Sequence, residues 1–521
     1  MQQSSRRYKL ILAALVLMSA VLGLLRFNTF QVGTWVDDAH YVVLAESLAQ
    51  GQGYHLINYP DAPVGRAFPP GWPLLLAPVV AAFPGNYAIL KLLSFVFWLG
   101  SIPLMYRFFA SRLEKPYAEI LVAFVVLNPN LVALSGMAMS EPAYLFFSFL
   151  ALNLFDCWDA GSGRAKPYLL VAIVLLALYA QLIRTLGLSL LIALSFYLLL
   201  SRRFRDFAIV AGTTMLGLMP QFWLNSQSGG SLVTSANQTQ YFGCVRPEVE
   251  CTIFVKAGYM WTNLESYANP MISNAVLPFF GGPGSSILGR LGLGLLPSLI
   301  NALLLLTILF GVALSLRRVF VHDLWVVIYF LALLPFVDVN QGGAQPRYLI
   351  PLIPFLYFYV LRTLSYLLSQ INAQKHKWAA VALPTLVVLV CSLLIGRNLQ
   401  DWRNPVRNRI TDISVGTTWV SENTPHDAIV MVRDPVPDYL YARRKTVAYP
   451  SNESDIEVSV RKNRVGYIIV SPRLQTPRTS QLDGFTESTF LPYLVSNSDR
   501  FVAVYRDSTQ NVTVYQVRST E

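Results

Sequence analysis

The chain has 521 residues, of which 54% are hydrophobic and only 13% are charged, and its mean hydropathy is +0.46. A soluble globular protein carries roughly a quarter charged residues, so this composition excludes an ordinary soluble domain. The formal net charge is +11, but most basic residues lie in short clusters between apolar runs, which argues against nucleic acid as a partner. Because lysine and arginine in short loops mark the cytoplasmic side of a membrane, the charge is mainly a topology signal.

Eleven apolar segments have lengths suited to crossing a hydrocarbon core of about 30 Å. Placing the basic clusters inside puts the N-terminus in the cytoplasm and the C-terminus outside. We therefore expect an α-helical polytopic membrane protein in the plasma membrane of a prokaryote. It would have a catalytic transmembrane domain over residues 1–397 and a small extracytoplasmic α/β domain over residues 398–521. The predicted spans are residues 9–27, 86–109, 117–136, 141–157, 168–184, 187–201, 207–224, 291–316, 322–338, 348–369 and 378–396.

Two outer segments, residues 28–85 and 225–290, are too long to be simple connectors. In the first, residues 38–50 carry apolar side chains at helical spacing, which predicts a helix lying along the membrane interface. Residues 68–73 are rich in proline and aromatic side chains, and both a rigid interface turn and a surface that stacks on a sugar fit them. The second segment contains Cys244 and Cys251, for which a disulfide and two reduced thiols both remain open.

The tail after residue 397 is polar and contains alternating or β-rich runs, which predict a small α/β domain. A turn-like stretch joins the last two runs and indicates a hairpin. The predicted strands are residues 428–432, 466–470, 501–505 and 512–517, and the predicted helices are residues 411–422 and 437–443.

Two adjacent carboxylates, Asp37 and Asp38, follow the first predicted crossing. Charged groups beside a membrane are costly to desolvate and tend to be retained for function. A transfer to a hydroxyl or amine needs a base within hydrogen-bond reach of the nucleophile, and a like-charged neighbour raises the pKa of one carboxylate towards a useful value. The alternative is that Asp38 caps the following helix while Asp37 is solvated.

Glu141 stands between Ser140 and Pro142 at the outer end of the fourth predicted crossing. Ser140 suits an N-cap, Pro142 suits a first helical turn, and Glu141 suits the positive end of the helix dipole. Helix capping alone is therefore a sufficient explanation of this segment. Because it lies on the same side of the membrane as Asp37 and Asp38, Glu141 is also a candidate active-site carboxylate.

Four cations, Arg66, Arg184, Arg347 and Lys91, are predicted at the outer ends of helices. Arginine can grip a phosphate through two parallel hydrogen bonds, and fixed cations stabilise a departing phosphate. For each residue alone, an alternative is that its side chain reaches to lipid headgroups. Arg184 lies between two apolar runs, where this alternative explains it less well, and Arg347 opens a helix whose N-terminal amides favour an anion.

The order of these features resembles the GT-C superfamily of integral membrane glycosyltransferases, in particular its branch of protein O-mannosyltransferases and aminoarabinose transferases. The resemblance covers most of the chain. The family's first-loop motif is often Asp-Glu, whereas this chain has Asp-Asp. The residues that carry the resemblance are Asp37-Asp38 with Tyr41, Pro69-Pro70-Gly71-Trp72-Pro73, Ser140-Glu141, Arg184-Thr185 and Arg347-Tyr348.

The resemblance implies an enzyme that moves a sugar from a polyprenyl-phosphate donor to a lipid, glycan or protein acceptor, usually with inversion, on the extracytoplasmic side. The expected partners are that donor and membrane lipids, with no nucleic acid. A divalent metal ion stays open as a cofactor, but the ligand set is too thin to assert one. The expected catalytic residues are Asp37, Asp38 and Glu141, and the expected substrate-binding residues are Arg66, Tyr41, Arg184, Arg347 and Tyr348.

Two other function classes remain open. A transporter or flippase for a lipid-linked saccharide would place polar residues near the bilayer midplane and often shows inverted repeats, whereas the carboxylates here cluster at one face and no repeat is evident. A polymerase or ligase that uses a diphosphate-linked glycan would differ from the first hypothesis in the phosphate left on the lipid.

Overall fold

The computed structural model describes residues 2–27, 31–65, 68–160, 167–226, 252–278, 295–335, 346–370, 377–403, 411–472 and 482–518. The chain forms two compact units. The first unit is made of Met1–Arg26, Ser94–Gly136 and Ser140–Arg403, and the second unit is made of Phe27–Leu93, Met137–Met139 and Asn404–Glu521.

Helices dominate the chain up to residue 403. A 3-10 turn, Thr185–Gly187, precedes the helix Leu188–Leu200. A kinked π-turn, Tyr267–Met271, precedes the helix Ile272–Val276, and a 3-10 segment, Pro346–Leu352, precedes the helix Ile353–Gln370. The helices are α1 (Gln2–Arg26), α2 (Asp37–Ala49), α3 (Gly71–Ala82), α4 (Tyr87–Ala110), α5 (Tyr117–Leu127), α6 (Pro129–Ser135), α7 (Glu141–Ala160), α8 (Pro167–Ile183), α9 (Leu188–Leu200), α10 (Phe204–Ser226), α11 (Ile253–Ser266), α12 (Ile272–Val276), α13 (Leu296–Leu316), α14 (Val321–Leu333), α15 (Ile353–Gln370) and α16 (Lys377–Arg403).

Each of the eleven predicted spans overlaps a helix or a pair of helices in the structure. Among the described residues, five helical segments are long and apolar enough to cross a membrane, or six if the bent pair α5 and α6 forms one span. The chain is therefore an integral membrane protein, as predicted, while the count of eleven crossings stays a prediction. The five segments are Lys9–Arg26, Tyr87–Ala110, Leu296–Leu316, Pro346–Gln370 and Val381–Arg403.

The predicted crossing over residues 117–136 is broken in the structure, with a bend of 58° between α5 and α6. Pro129 begins α6, and a proline lacks the amide that would continue the helical hydrogen bonds. The buried Asn128 side chain accepts a hydrogen bond from the Asn130 amide (3.0 Å) and donates to the Ala275 carbonyl (2.8 Å). The polar side chain at the break therefore has hydrogen-bond partners within an otherwise apolar pair of helices.

Helix α13 shows how the first unit divides its apolar surface. Leu299, Leu303 and Leu306 recur at helical spacing and are about two-thirds exposed, as expected for side chains that face hydrocarbon. The backbone at Gly311 lies so close to α15 that a Cβ atom there would be 2.2 Å from the Tyr359 carbonyl oxygen. A glycine at this point allows the two helices to approach closely.

The second unit contains a five-stranded mixed sheet of order β2-β1-β3-β5-β4. Strand β1 pairs in parallel with β2 and β3, while β5 pairs in antiparallel with β3 and β4. The strands are β1 (Ile429–Val432), β2 (Lys445–Ala448), β3 (Val465–Val470), β4 (Phe501–Asp507) and β5 (Val512–Val517), and the helices around them are α17 (Thr411–Asn423), α18 (Pro435–Ala442), α19 (Ser454–Lys462) and α20 (Leu491–Ser496).

The predicted α/β character of the tail is confirmed, and its four predicted strands and two predicted helices all lie where expected. Strand β2 and helices α19 and α20 were not predicted. Strand β2 has only four residues, of which Thr446 and Val447 are buried while Lys445 and Ala448 at its ends are exposed. Such a short run does not show the alternation by which a strand is recognised in a sequence.

Helix α2 differs from the predicted interfacial helix with one apolar face. Its residues from Ala39 to Ser47 are almost all buried, and the helix packs on α3 and α18 within the second unit. The burial includes the polar side chains Asp38 and Glu46. A helix buried on all sides belongs to the interior of a folded unit, so α2 is a core element of the second unit.

Candidate functional site

The first unit brings together three of the predicted site residues. The Glu141 carboxylate oxygen Oε1 lies 2.8 Å from Nη1 of Arg184 and 2.5 Å from Nε of Arg347. Arg184 also donates to the Ser140 hydroxyl at 3.3 Å. Glu141 therefore joins two arginines from distant parts of the chain, which goes beyond the helix-capping explanation of the sequence.

This ion cluster is nearly dry. The Glu141 side chain is 1% exposed, and those of Arg184 and Arg347 are 10% and 11% exposed. One carboxylate faces two guanidinium groups. Its second oxygen, Oε2, is buried and has no hydrogen-bond partner among the described residues. Two guanidinium groups held side by side can grip a phosphate through paired hydrogen bonds.

Local backbone structure positions both arginines. Arg184 follows α8 in an extended conformation and precedes the turn Thr185–Gly187. A Cβ atom at Gly187 would lie 2.6 Å from the Gln181 Cα atom, so only glycine fits this turn without a shift. Arg347 lies in the 3-10 segment Pro346–Leu352, where the neighbouring Tyr348 carbonyl accepts a hydrogen bond from the Tyr329 hydroxyl at 3.1 Å.

In the second unit, a tight turn sets the position of the acidic pair. Val36 has φ 61° and ψ −49°, and the Asp37 amide donates to the Trp35 carbonyl at 2.5 Å. This is a γ-turn with positive φ, a rare and strained conformation for a β-branched residue. Helix α2 begins directly after it, so Asp37 and Asp38 occupy its first turn, where the helix dipole favours negative charge.

Asp38 is buried and hydrogen-bonded to the backbone. Its Oδ2 accepts from the Gly33 amide at 2.9 Å and its Oδ1 accepts from the Ala39 amide at 3.0 Å. Burial raises the pKa of the Asp38 carboxyl to about 7, and the neighbouring Asp37 charge acts in the same direction, whereas the Gly33 amide opposes them. Asp38 thus ties the turn to α2, and the partly buried Asp37 is the more accessible of the two carboxylates.

The proline-rich and aromatic segment of residues 68–73 leads into α3 and packs into the core of the second unit. Trp72 is fully buried and its indole nitrogen donates to the Ala138 carbonyl at 3.0 Å, so its ring does not present a free face to a sugar. Tyr41 is 4% exposed and packs edge-on against Phe68, with ring centroids 5.3 Å apart. The rigid-turn interpretation of residues 68–73 fits these contacts better than the stacking interpretation.

The remaining predicted residues have separate outcomes. Lys91 is 6% exposed, and its ammonium donates to the Phe27 carbonyl at 2.5 Å, so it does not reach out to lipid headgroups. Arg66, Cys244 and Cys251 lie outside the described residues. Within the described part of the chain, no three His, Cys, Asp or Glu side chains come together as a metal-binding group.

The structure brings Glu141, Arg184 and Arg347 together in the first unit, while Asp37 and Asp38 belong to the second unit. The convergence of all five residues in one external cavity stays a prediction. The predicted roles of Tyr41 and Tyr348 also stay predictions.

Sequence reasoning also did not find an ion pair that lies in the second unit. The Glu46 carboxylate lies 3.0 Å from Nη1 of Arg443, which also donates from Nη2 to the Tyr87 hydroxyl at 2.7 Å. The two charged residues are 397 positions apart, so no local pattern links them. The available signal was a single glutamate within the otherwise apolar stretch of α2.

Comparison with known proteins identifies the fold. No protein-family model matches the chain, and no curated protein matches it. Among solved structures, ArnT from Cupriavidus metallidurans bound to undecaprenyl phosphate is 14% identical with a TM-score of 0.58, and the match covers 96% of this chain and 97% of that one. The oligosaccharyltransferase of Archaeoglobus fulgidus, tethered to an acceptor peptide, is 12% identical with a TM-score of 0.55, covering 97% of this chain and 74% of that one. The chain therefore has the GT-C fold, the fold of these integral membrane glycosyltransferases.

Proposed function

We propose that this chain is a glycosyltransferase that takes a sugar from a polyprenyl-phosphate donor on the extracytoplasmic side of the membrane. The observation that carries the proposal is the ion cluster of Glu141, Arg184 and Arg347, with two guanidinium groups on one buried carboxylate. Two guanidinium groups held side by side suit a phosphate. The GT-C fold and the undecaprenyl phosphate bound to the similar ArnT support the same ligand class.

In this proposal Arg184 and Arg347 hold the donor phosphate. Charge on the phosphate grows as the bond to the sugar breaks, and fixed guanidinium groups in a nearly dry site stabilise that charge strongly. Glu141 fixes the two guanidinium groups in place by accepting from both on Oε1. Its role is positioning, because the carboxylate is almost entirely buried against its two partners.

Asp37 is the proposed base. The acceptor hydroxyl or amine attacks the anomeric carbon, the bond from that carbon to the phosphate oxygen breaks, and the phosphate leaves with the electron pair. The acceptor proton passes to the Asp37 carboxylate. Direct displacement of this kind inverts the anomeric centre. Asp38 holds the turn before α2 through the Gly33 amide and keeps Asp37 at the start of the helix.

The orientation is also part of the proposal. The basic clusters of the short loops support a cytoplasmic N-terminus, and the polar C-terminal region supports an extracytoplasmic domain over residues 398–521. The acceptor would be a lipid, a glycan or a protein that presents a hydroxyl or amine on that side.

The test is a transfer assay with the purified full chain in lipid nanodiscs and a panel of labelled undecaprenyl-phosphate sugars, with an extract of membrane lipids and glycans as the acceptor. Asp37→Asn removes the proposed base, so turnover should fall by about 100-fold or more. The matched control is Asp61→Asn, which changes an exposed carboxylate in the same outer segment and should leave turnover unchanged. Equal turnover in the parent chain and in Asp37→Asn would rule out the proposed base.

A further inference from the structure

A cavity of about 550 Å³ lies within the second unit at the C-terminal end of α2. Its walls come from Glu46 and Gln50 at the end of α2, from Val80 and Ala81 of α3, and from Arg443 after α18. Glu46 lies nine positions after Asp37, about 13 Å along a helix at 1.5 Å per residue. The cavity is therefore separate from the proposed base.

The charged wall of the cavity is an ion pair between Glu46 and Arg443. The Glu46 side chain is 6% exposed and lies 3.0 Å from Nη1 of Arg443. The Arg443 backbone is left-handed, with φ 52°, where it ends α18, and its Nη2 donates to the Tyr87 hydroxyl at 2.7 Å. That hydroxyl in turn donates to the Leu440 carbonyl at 2.6 Å, so the arginine is fixed from two sides.

One atom of this pair has unused hydrogen-bonding capacity. Oε2 of Glu46 is buried and has no hydrogen-bond partner among the described residues. A buried oxygen left without a hydrogen bond is destabilising, and a donor group on a ligand would remove that cost. Burial raises the pKa of Glu46, while the nearby Arg443 charge lowers it, which is consistent with a poorly solvated carboxylate.

The chemistry of the wall selects the ligand class. A carboxylate that accepts and a guanidinium that donates, side by side, match neighbouring hydroxyl groups, because each hydroxyl can both donate and accept. The pair has no net charge, so it offers a phosphate or carboxylate ligand no electrostatic gain, and Glu46 repels such a ligand. Ala49, Val80 and Ala81 provide small apolar surface for the C–H face of a ring.

We propose that this cavity binds an uncharged saccharide ring through its neighbouring hydroxyl groups, with Glu46 accepting and Arg443 donating. The binding step does not depend on the transfer reaction, so it can be tested even if the proposed function fails. The saccharide could belong to the acceptor or to the donor, and kinetic measurements distinguish these two sources.

The test is saturation-transfer NMR of the full chain in lipid nanodiscs, which avoids detergents with sugar headgroups, with methyl α-mannoside and methyl α-glucoside as probes. Ala81→Leu fills the cavity from an exposed helical position without touching the ion pair. Its matched control is Ala82→Leu, the exposed next residue, which does not line the cavity. We expect the parent chain and Ala82→Leu to give transfer signals and Ala81→Leu to lose them, while mannose 6-phosphate gives a weaker signal than the neutral glycosides.

A parent chain without glycoside signals, or equal signals in Ala81→Leu and Ala82→Leu, would overturn the proposal. Thermal unfolding of both variants verifies that they fold, and Ala49→Leu fills the same cavity from α2 if Ala81→Leu does not fold. In the transfer assay, a higher KM of Ala81→Leu for the acceptor assigns the cavity to the acceptor, and a higher KM for the donor assigns it to the donor. Lost binding with both KM values unchanged assigns the saccharide to neither substrate.

Discussion

Val36 adopts a backbone conformation that is rare for a β-branched residue, directly before the proposed base. Such strain costs on the order of 1–3 kcal/mol and persists when surrounding contacts enforce it. The contact that does so here is the hydrogen bond from the Gly33 amide to the buried Asp38 carboxylate. Asp38 therefore has a structural task in holding this turn, and the partly buried Asp37 is the more accessible carboxylate of the pair.

The raised pKa of Asp38 predicts a pH-dependent stability. The folded chain holds the Asp38 proton up to about pH 7, whereas the unfolded chain loses it near pH 4, so stability falls as the pH rises from about 4 to about 7. Asp38→Asn lacks this titration and can still accept the Gly33 hydrogen bond. We expect the midpoint of thermal unfolding of Asp38→Asn minus that of the parent chain to increase as the pH is raised from 5 to 8. A difference that stays constant across this range would contradict the burial of an ionisable Asp38.

The ion cluster predicts strong coupling between its members. Glu141→Gln removes the negative charge that two buried guanidinium groups share, which should destabilise the chain by about 3–5 kcal/mol. Arg184→Gln on the Glu141→Gln background removes one of these charges, so the double variant should be more stable than the sum of the two single effects. Thermal unfolding of the four proteins of this cycle measures the coupling, and strictly additive effects would show that Glu141 and Arg184 do not act as one unit.

The sequence indicated the members of this cluster but not the pairing between them. Glu141, Arg184 and Arg347 each stand at a predicted outer helix end, and this alone suggested a common role. Glu141 and Arg347 are 206 positions apart, and only the packing of the helices decides that they meet. The same limit hid the pair of Glu46 and Arg443.

At the scale of elements, apolar run length predicted the helices well because a membrane demands long apolar segments with satisfied backbone hydrogen bonds. It did not predict the bend between α5 and α6, which depends on Pro129 and on the partners of Asn128 in other helices. The apolar pattern of α2 predicted a single buried face, whereas packing against α3 and the distant α18 buries nearly the whole helix.

Helix contacts predict the effect of adding a methyl group. A Cβ atom at residue 311 would meet the Tyr359 carbonyl oxygen at 2.2 Å, so Gly311→Ala should push α13 away from α15 and lower the unfolding midpoint of the chain. The matched control is Gly212→Ala in α10, where a Cβ atom meets nothing within 4 Å and helix propensity improves. Thermal unfolding in nanodiscs compares the two, and equal midpoints would contradict the close approach of α13 and α15.

At the scale of the whole molecule, the sequence predicted a division near residue 397, whereas the structure groups Phe27–Leu93 with Asn404–Glu521 in one compact unit. Composition marks where the chain becomes polar, but it does not report which segments fold together. The Thr446 amide donates to the Asn58 carbonyl at 2.7 Å, and Tyr441 donates to the Val32 carbonyl at 2.7 Å. The segment Phe27–Leu93 is thus part of the same compact unit as the tail.

The transferase account is tested most directly by the lipid that remains after turnover. The purified chain is incubated with a labelled undecaprenyl-monophosphate sugar and, separately, with the corresponding diphosphate-linked sugar, and mass spectrometry identifies the lipid product. The account predicts release of undecaprenyl monophosphate, with the sugar recovered on the acceptor, from the monophosphate donor alone. Turnover of the diphosphate donor only, or recovery of both donors unchanged in every acceptor mixture, would contradict it.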